Sequence, residues 1–261
     1  MFRKIVFVTM LLAGLASVRG DCQNPKWQEY RCTHFLIYYK NVPMDFVKEV
    51  EEAAEGYYSA ITRNLGFTRY QGWAFEGRAK IFIYDDQDDY VESSRQAGWS
   101  SGMASAREKV IRTFPSAHGF FDSTLPHELG HIIFREFIGY RAMIPLWLEE
   151  GVAMHQEKAK RWGAHQMVLK AIEKGEFIPL KALTQISLTQ DTDRATVDLF
   201  YTESASVVYY LITEFGIHRF VNFCRALKEG RTFEAAFVSA YSRFQNVDDL
   251  NKAWVDYLKR K

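Results

Sequence analysis

The periodicity of the sequence changes near Leu125, and this change limits the architectures open to the chain. Before that point, two short β-prone runs, residues 34–39 and 80–84, flank a long helical pattern that begins at Asp45. A helix between two strands indicates a small sheet that carries a helix on one face. After Leu125, apolar residues recur at helical spacing almost to the C terminus. We therefore predict an α+β fold with a small mixed sheet lobe, which holds the first of these helices, followed by a helical C-terminal lobe.

Glycine and proline residues divide the later part of the chain into separate helices. Ser123 or Thr124 suits the N-cap of a helix that begins near Leu125, and a second helix begins at Pro145. Residues 98–113 are predicted to supply one or two more strands. The further predicted helices cover residues 164–174, 205–215, 217–227, 233–241 and 248–258.

The first twenty residues have the pattern of a secretory signal peptide. Arg3 and Lys4 precede an apolar run over residues 5–18, and Gly20 provides a small-residue exit. The run is shorter than the roughly 20 apolar residues that a transmembrane helix needs. We therefore predict cleavage near Gly20 and a secreted or periplasmic mature protein with no stable membrane span. An uncleaved membrane anchor is the alternative.

This division predicts three regions. Residues 1–20 form the signal peptide, residues 21–160 the sheet lobe with the candidate site, and residues 161–261 the helical lobe. In an oxidising compartment Cys22 and Cys32 could form a disulfide, with two free thiols as the alternative. Cys224 lies in a helical pattern and is expected to be buried.

Charge and composition exclude several classes of protein. The formal net charge is +1, so no large basic field points to nucleic acid as a partner. Apolar residues make up 48% of the chain, which is enough for a substantial core and too many for a disordered segment. A globular protein without nucleic-acid partners is expected.

Two histidines four residues apart form the main candidate site, in the segment His127-Glu-Leu-Gly-His131. On a helix they share one face, about 6 Å apart along the axis, so both imidazoles can reach one ion. Neutral imidazole is a good zinc ligand. Glu128 can stand beside such an ion without binding it, where a general base is needed, and Gly130 leaves room on the neighbouring face. Two histidines with ordinary structural roles are the alternative until a third ligand is found.

Glu150 is the candidate third ligand. A longer motif with a third histidine would need His at position 137, where Phe137 stands. Glu150 follows His131 after eighteen residues, and a second helix packed against the first could present its carboxylate to the two imidazoles. Glu149 points about 100° away on the same helix, so only one of the pair can bind. Gly151 would permit a close approach of helices.

The segments HELGH and WLEEG, in which eighteen residues separate His131 from Glu150, resemble those of the gluzincin metallopeptidases. The spacing is similar to that of the aminopeptidase N-like family and of smaller peptidase MA-like proteins. The resemblance implies a zincin-like fold and one zinc ion held by His127, His131 and Glu150. It also implies that Glu128 is the catalytic base and proton shuttle.

A second segment extends this resemblance toward the C terminus. Residues 200–206, Phe-Tyr-Thr-Glu-Ser-Ala-Ser, are similar to the stretch in which aminopeptidase N-like enzymes place a tyrosine that stabilises the transition state. The match falls on Tyr201. A tyrosine that only packs at the start of a helix is the alternative.

A third segment is similar to the edge strand with which gluzincins pair an extended substrate. It reads Ser-Gly-Met-Ala-Ser over residues 101–105, which implies that Gly102, Met103 and Ala104 bind substrate. Aminopeptidases of this type carry a glutamate there that holds the amino terminus of the substrate. This sequence has none at the matching place, which favours an endopeptidase over an aminopeptidase.

The sequence therefore predicts an exported zinc metallopeptidase that hydrolyses peptide bonds. Two alternatives are a non-catalytic, zinc-containing binding protein and an envelope-associated structural protein whose zinc ties two helices together. A structural zinc site normally has a fourth protein ligand and no use for a base beside the metal. His155 is the one candidate for that fourth ligand, and it is expected to face the core or solvent instead. Glu128 favours the enzyme.

Overall fold

The computed structural model describes residues 26–67, 73–94, 103–115, 117–157, 163–189 and 191–260. The fold is α+β, as the sequence predicts: a small mixed sheet comes first and is followed by helices. The predicted signal peptide and Cys22 lie outside the described residues. No helix within the described part of the chain is long and apolar enough to cross a membrane.

The sheet has five strands in the order β1-β2-β3-β5-β4. Strands β2, β3 and β5 are parallel, whereas β1 and β4 pair antiparallel at the two edges. Their bounds are β1 Gln28–Arg31, β2 Phe35–Tyr39, β3 Ala79–Ile83, β4 Met103–Ser105 and β5 Val110–Thr113. The β-α-β unit and the two later strands are therefore confirmed, whereas the sequence did not predict β1.

Ten helices lie in the described residues, and short 3₁₀ and π-helical turns accompany them. The π-helical turn, Phe120–Thr124, leads directly into α3. The helices are α1 Met44–Asn64, α2 Gln87–Ser94, α3 Leu125–Ile138, α4 Leu146–Gln156, α5 Ala164–Lys174, α6 Leu180–Leu183, α7 Arg194–Phe215, α8 Ile217–Lys228, α9 Phe233–Ala240 and α10 Val247–Leu258.

Side-chain alternation explains how the sheet carries α1. In β2, Phe35, Ile37 and Tyr39 are buried and the residues between them are partly exposed, as one face of a strand requires. Helix α1 covers the sheet with a stripe of buried side chains at helical spacing. That stripe consists of Val47, Val50, Ala54, Tyr58 and Ile61. Buried side chains alternate with a period of two residues in β2 and recur with a period of 3.6 residues in α1. These two hydrophobic periods made the β-α-β unit predictable from sequence.

The prediction for α7 was wrong at its start: the helix begins at Arg194 rather than at residue 205. The Asp193 side chain caps it by accepting a hydrogen bond from the Thr196 amide. The start of α7 lacks a clear apolar stripe, because residues 194–199 are exposed or partly buried and the continuous buried run covers only residues 203–208. A helix start without buried apolar residues at helical spacing shows no amphipathic stripe to predict from. The sequence also did not predict the short helices α2 and α6.

Two glycines allow α3, α4 and α7 to pack closely on one another. A Cβ atom at Gly130 of α3 would lie 3.0 Å from the Ala153 Cα of α4. A Cβ atom at Gly151 of α4 would lie only 2.3 Å from the Ser204 carbonyl oxygen of α7, which no side chain can tolerate. Gly151 therefore does permit a close approach of helices, as predicted, but its partner is α7, whereas α3 and α4 approach each other at Gly130.

The largest hydrophobic cluster among the described residues joins the sheet region to the later helices. It includes Phe35 and Ile81 from the sheet as well as Phe220 and Trp254 from the C-terminal part. The predicted division of the chain near residue 160 stays a prediction.

Cys224 is fully buried, as predicted. Cys32 is a buried free thiol, and a disulfide with Cys22 stays a prediction because Cys22 lies outside the described residues.

Candidate metal centre

His127, His131 and Glu150 converge at the crossing of α3 and α4. The Nε2 atoms of the two histidines are 3.0 Å apart. The Glu150 Oε2 atom lies 3.4 Å from the first and 3.5 Å from the second. Three potential ligand atoms therefore form a nearly equilateral triangle, with one atom from each residue.

The dimensions of this triangle fit a tetrahedral metal ion. Two ligand atoms about 2.05 Å from zinc at a tetrahedral angle lie about 3.3 Å apart. The buried Glu150 Oε2 atom has no hydrogen-bond partner among the described residues. A buried carboxylate oxygen without a partner is costly, and a cation at the centre of the triangle would satisfy it. The three residues could therefore hold a divalent metal, with one side left open.

Glu157 orients the ring of His127. A Glu157 Oε1 atom lies 2.8 Å from Nδ1 of His127, and the Ser123 hydroxyl donates to the other carboxylate oxygen at 2.6 Å. Since Glu157 is nearly fully buried, its carboxylate is held in one place. A hydrogen bond from Nδ1–H to a carboxylate leaves the Nε2 lone pair free to face the metal.

The Ser123 contact corrects the prediction that Ser123 or Thr124 caps α3. Thr124 makes no capping hydrogen bond with its side chain. Ser123 lies in the π-helical turn before α3, where its hydroxyl faces Glu157. The turn therefore supports the candidate metal centre rather than the helix end.

Glu149 faces Arg135 on α3 instead of the metal centre. The Arg135 guanidinium binds both Glu149 carboxylate oxygens and also donates to the Ala142 carbonyl oxygen at 2.9 Å. Glu149 comes no closer than 4.0 Å to the ring of His131. The two adjacent glutamates thus point in different directions, as the helical geometry predicts, and only Glu150 joins the histidines.

The charges at the site favour an anionic Glu150 beside a protonated His127. Burial alone would raise the pKa of Glu150, but the two neighbouring imidazoles lower it to about 2. Burial alone would lower the pKa of His127, but Glu150 and Glu157 raise it to about 9. Without a metal, His127 is therefore protonated at neutral pH, and metal binding to its imidazole would release that proton.

Glu128 lies in a different environment from the ligands. Burial raises its pKa above the ordinary value, and the two histidines beside it offset this effect only in part. It does not belong to the group of atoms that could hold the metal. A carboxylate with a raised pKa next to a metal site is suited to accept and return a proton.

Tyr201 approaches the same site from α7. Burial raises the pKa of its hydroxyl to about 12, with further contributions from the negative charges of Glu150 and Glu128. Its ring is partly buried against Met154 and Ala205. The hydroxyl makes no hydrogen bond to the part of the chain that the structure describes. It is therefore a neutral donor near the centre with its proton available.

The predicted substrate strand is described only in part. Met103 and Ala104 lie in β4, which is an edge strand of the sheet and contacts α3. Gly102 falls outside the described residues, and so do the side chains of Met103 and Ala104. The role of these residues in substrate binding stays a prediction.

His155 does not join the metal ligands. Its side chain is buried on α4, and its ring lies 6.0 Å from that of Tyr209. This contact agrees with the expectation that His155 faces the core. Among the described residues, the structure brings only His127, His131 and Glu150 together as a metal-binding group.

The supporting residues Glu157, Ser123 and Arg135 were not predicted. One signal was available for Glu157, because it follows Glu150 by seven residues and so falls on the same side of a continuing helix. Arg135 likewise follows His131 by four residues. Neither spacing reveals the partner, since the partner lies on another element.

We expect Glu157→Gln to weaken zinc affinity by about tenfold. An amide oxygen still accepts the Nδ1–H hydrogen bond of His127, but the negative charge that makes the imidazole a better ligand is lost, and such changes typically cost 10- to 100-fold. Competition with a chromogenic chelator measures the affinity. Glu173→Gln, an exposed change on α5, is the control, and equal affinity in all three proteins would contradict the role of Glu157.

Comparison with known proteins gives one family match. The family model described as Peptidase MA superfamily matches residues 65–260, which include both helices of the candidate metal centre and the later helices. No curated protein matches the sequence.

Proposed function

This chain belongs to the Peptidase MA superfamily, and from that premise we propose that it is a zinc-dependent metallopeptidase of the gluzincin type with a zincin-like fold. The observation that carries the proposal is the convergence of His127, His131 and Glu150 on one point. Two imidazoles and one carboxylate suit zinc and leave a coordination position open for chemistry. Zinc in such a site supplies Lewis-acid chemistry, because it lowers the pKa of water and polarises a carbonyl group.

The residues around the candidate metal centre would have different roles in hydrolysis. Glu128 takes a proton from the attacking water through its carboxylate and passes it to the nitrogen of the leaving amine. The raised pKa of Glu128 brings its proton affinity closer to that of its reaction partners at neutral pH. Glu157 holds the His127 ring in place throughout, because its own carboxylate is fixed by Ser123.

Tyr201 is proposed to stabilise the oxyanion that forms at the attacked carbonyl. Its hydroxyl stays protonated at neutral pH, since its pKa is raised to about 12, so it can donate a hydrogen bond. A donor fixed in place before the reaction stabilises developing charge without reorganisation.

We expect Tyr201→Phe to lower kcat by about 100- to 1,000-fold while zinc content stays unchanged, because the ring still packs and only the oxyanion donor is lost. Steady-state kinetics and metal analysis of the purified variant measure both quantities. Tyr209→Phe, which removes a hydroxyl about two turns further along the same helix, is the control. A Tyr201 variant with unchanged kcat would return Tyr201 to a packing role.

The proposal favours an endopeptidase over an aminopeptidase. The segment Gly102, Met103 and Ala104 contains no glutamate at the place where the aminopeptidase resemblance calls for one that holds the amino terminus of a substrate. A substrate could then extend past this point by pairing with the edge strand.

We also propose that the protein acts outside the cytoplasm, secreted or periplasmic after removal of residues 1–20.

Digestion of a mixed peptide library tests the function. We expect cleavage at internal bonds, loss of cleavage after zinc is removed with a chelator, and recovery after zinc is restored. Mass spectrometry of the products distinguishes internal cuts from stepwise removal of terminal residues. A protein that binds zinc and cuts no peptide would favour the non-catalytic binding or structural alternative.

A further inference from the structure

A groove of about 1020 Å³ opens beyond the C-terminal end of α3. The loop from α3 to α4 forms one wall, and the junction of α8 and α9 forms the other. Apolar side chains of Ile138, Leu227 and Phe233 contribute to its floor, and all three are largely buried. Charged side chains line its rim: Arg107, Arg141, Lys228, Arg231 and Glu234.

The basic side chains of this rim are exposed and largely free to meet a ligand. Arg107 and Arg141 form no ion pair with any residue that the structure describes. The Nε atom of Arg231 lies 3.9 Å from a Glu229 oxygen, and both side chains are solvated, so this pair is weak. Lys228 lies over the Phe137 ring, 5.5 Å from its centre. With four cations and one anion, the rim carries a positive field.

The groove continues the face of α3 that carries the metal ligands. His127, His131 and Arg135 follow one another at intervals of four residues, and Gly139 at the groove continues this row. From His131 to Gly139 the helix rises roughly 12 Å. An extended peptide covers that distance with about four residues.

The edge strand β4 leads toward the same groove. The Tyr140 hydroxyl donates to the Ala106 carbonyl oxygen at 2.8 Å, directly after β4 ends at Ser105. Arg107, the next residue, lies on the rim. A peptide that pairs with β4 and continues past Ser105 would therefore pass between Arg107 and the exposed Tyr140.

We propose that this basic-rimmed groove binds an acidic segment of the peptide substrate, about four residues from the bond that is cleaved. The apolar floor takes an apolar side chain of that segment, and the rim attracts flanking Asp or Glu side chains. The inference rests on the proposed peptidase function and adds a substrate class to it: extended peptides with acidic residues on one side of the cleavage point.

Peptide binding to the inactive full-length Glu128→Gln protein tests the proposal separately from hydrolysis. The probes are three fluorescein-labelled peptides of about twelve residues, each with an apolar residue at its centre. At one end the first peptide carries three glutamates, the second three glutamines and the third three lysines. In fluorescence anisotropy we expect the glutamate peptide to bind about tenfold more tightly than the glutamine peptide. Adding Arg141→Glu and Arg231→Glu should remove this preference and favour the lysine peptide.

A matched control carries the same change of charge away from the groove. Lys48→Glu with Lys170→Glu alters exposed residues of α1 and α5, and it should keep the preference for glutamate. Equal binding of the three peptides to the parent protein would overturn the proposal. The proposal would also be overturned if another kind of anion binds in place of the peptides. That result would be binding of inorganic phosphate or phosphatidylglycerol vesicles through Arg141 and Arg231, without binding of the peptides.

Hydrolysis by the protein with Glu128 intact separates this proposal from the peptidase function. We expect Arg141→Glu with Arg231→Glu to raise KM for the glutamate peptide about tenfold and to leave kcat unchanged. Hydrolysis with no charge preference would overturn the groove proposal and leave the peptidase intact. Charge-dependent binding without any hydrolysis would instead support the groove and refute the peptidase.

Discussion

Replacement of Glu128 by Gln is expected to lower kcat/KM for peptide hydrolysis by about 100- to 10,000-fold while zinc stays bound. The amide has nearly the same size and cannot take a proton from water. Zinc retention is expected because the structure places Glu128 outside the three-residue group that could hold the metal. Hydrolysis of a quenched fluorescent peptide measures the rate, and metal analysis of the same sample measures zinc.

A surface variant shows whether the loss comes from the base itself. Glu108→Gln changes an exposed residue between β4 and β5 and should have no effect on the rate. The assignment of Glu128 fails if its variant keeps the activity of the parent protein. It also fails if the activity disappears only together with the metal, since Glu128 would then act on zinc binding.

Replacement of Glu150 by Gln is expected to weaken zinc affinity by more than about 100-fold, beyond the usual effect of residues that only support a ligand. The change removes the one negative charge that faces both histidine Nε2 atoms. Zinc binding to the folded state stabilises it by mass action, so the increase in Tm that added zinc produces should also disappear. Calorimetric titration and thermal unfolding with and without zinc measure these effects.

Glu149→Gln provides a matched control, because the same chemical change is made one residue earlier on α4. Glu149 binds Arg135 and comes no closer than 4.0 Å to His131. We expect its variant to retain zinc and to lose at most a little stability, since a single ion pair of this kind contributes modestly. Equal loss of zinc in both variants would show that the structure assigns the third ligand wrongly.

The convergence of the two histidines could be predicted from sequence because its geometry is local. A separation of four residues places His127 and His131 on one helix face, whatever the rest of the fold does. Glu150 needed one further assumption, that a second helix crosses the first closely. The sequence offered Gly151 for that crossing, but Gly151 packs on Ser204 of α7, and the close contact between α3 and α4 lies at Gly130 and Ala153.

The supporting contacts depend on tertiary approach and had no local signal strong enough to identify them. The sequence predicted that Ser123 caps a helix. In the structure Ser123 lies in the π-helical turn, and its hydroxyl donates a hydrogen bond to Glu157. The start of α7 at Arg194 was not predicted because its first turns are exposed or partly buried and carry no apolar stripe at helical spacing. The groove combines Arg107, Arg141 and Arg231, which lie far apart in the chain, so no single window of sequence contains it.

Anomalous diffraction at the zinc absorption edge tests the central claim most directly. Crystals grown with zinc should show one strong peak about 2.0–2.2 Å from the Nε2 atoms of His127 and His131 and from a carboxylate oxygen of Glu150. The account is contradicted if no peak lies between these three side chains while the same protein hydrolyses peptides.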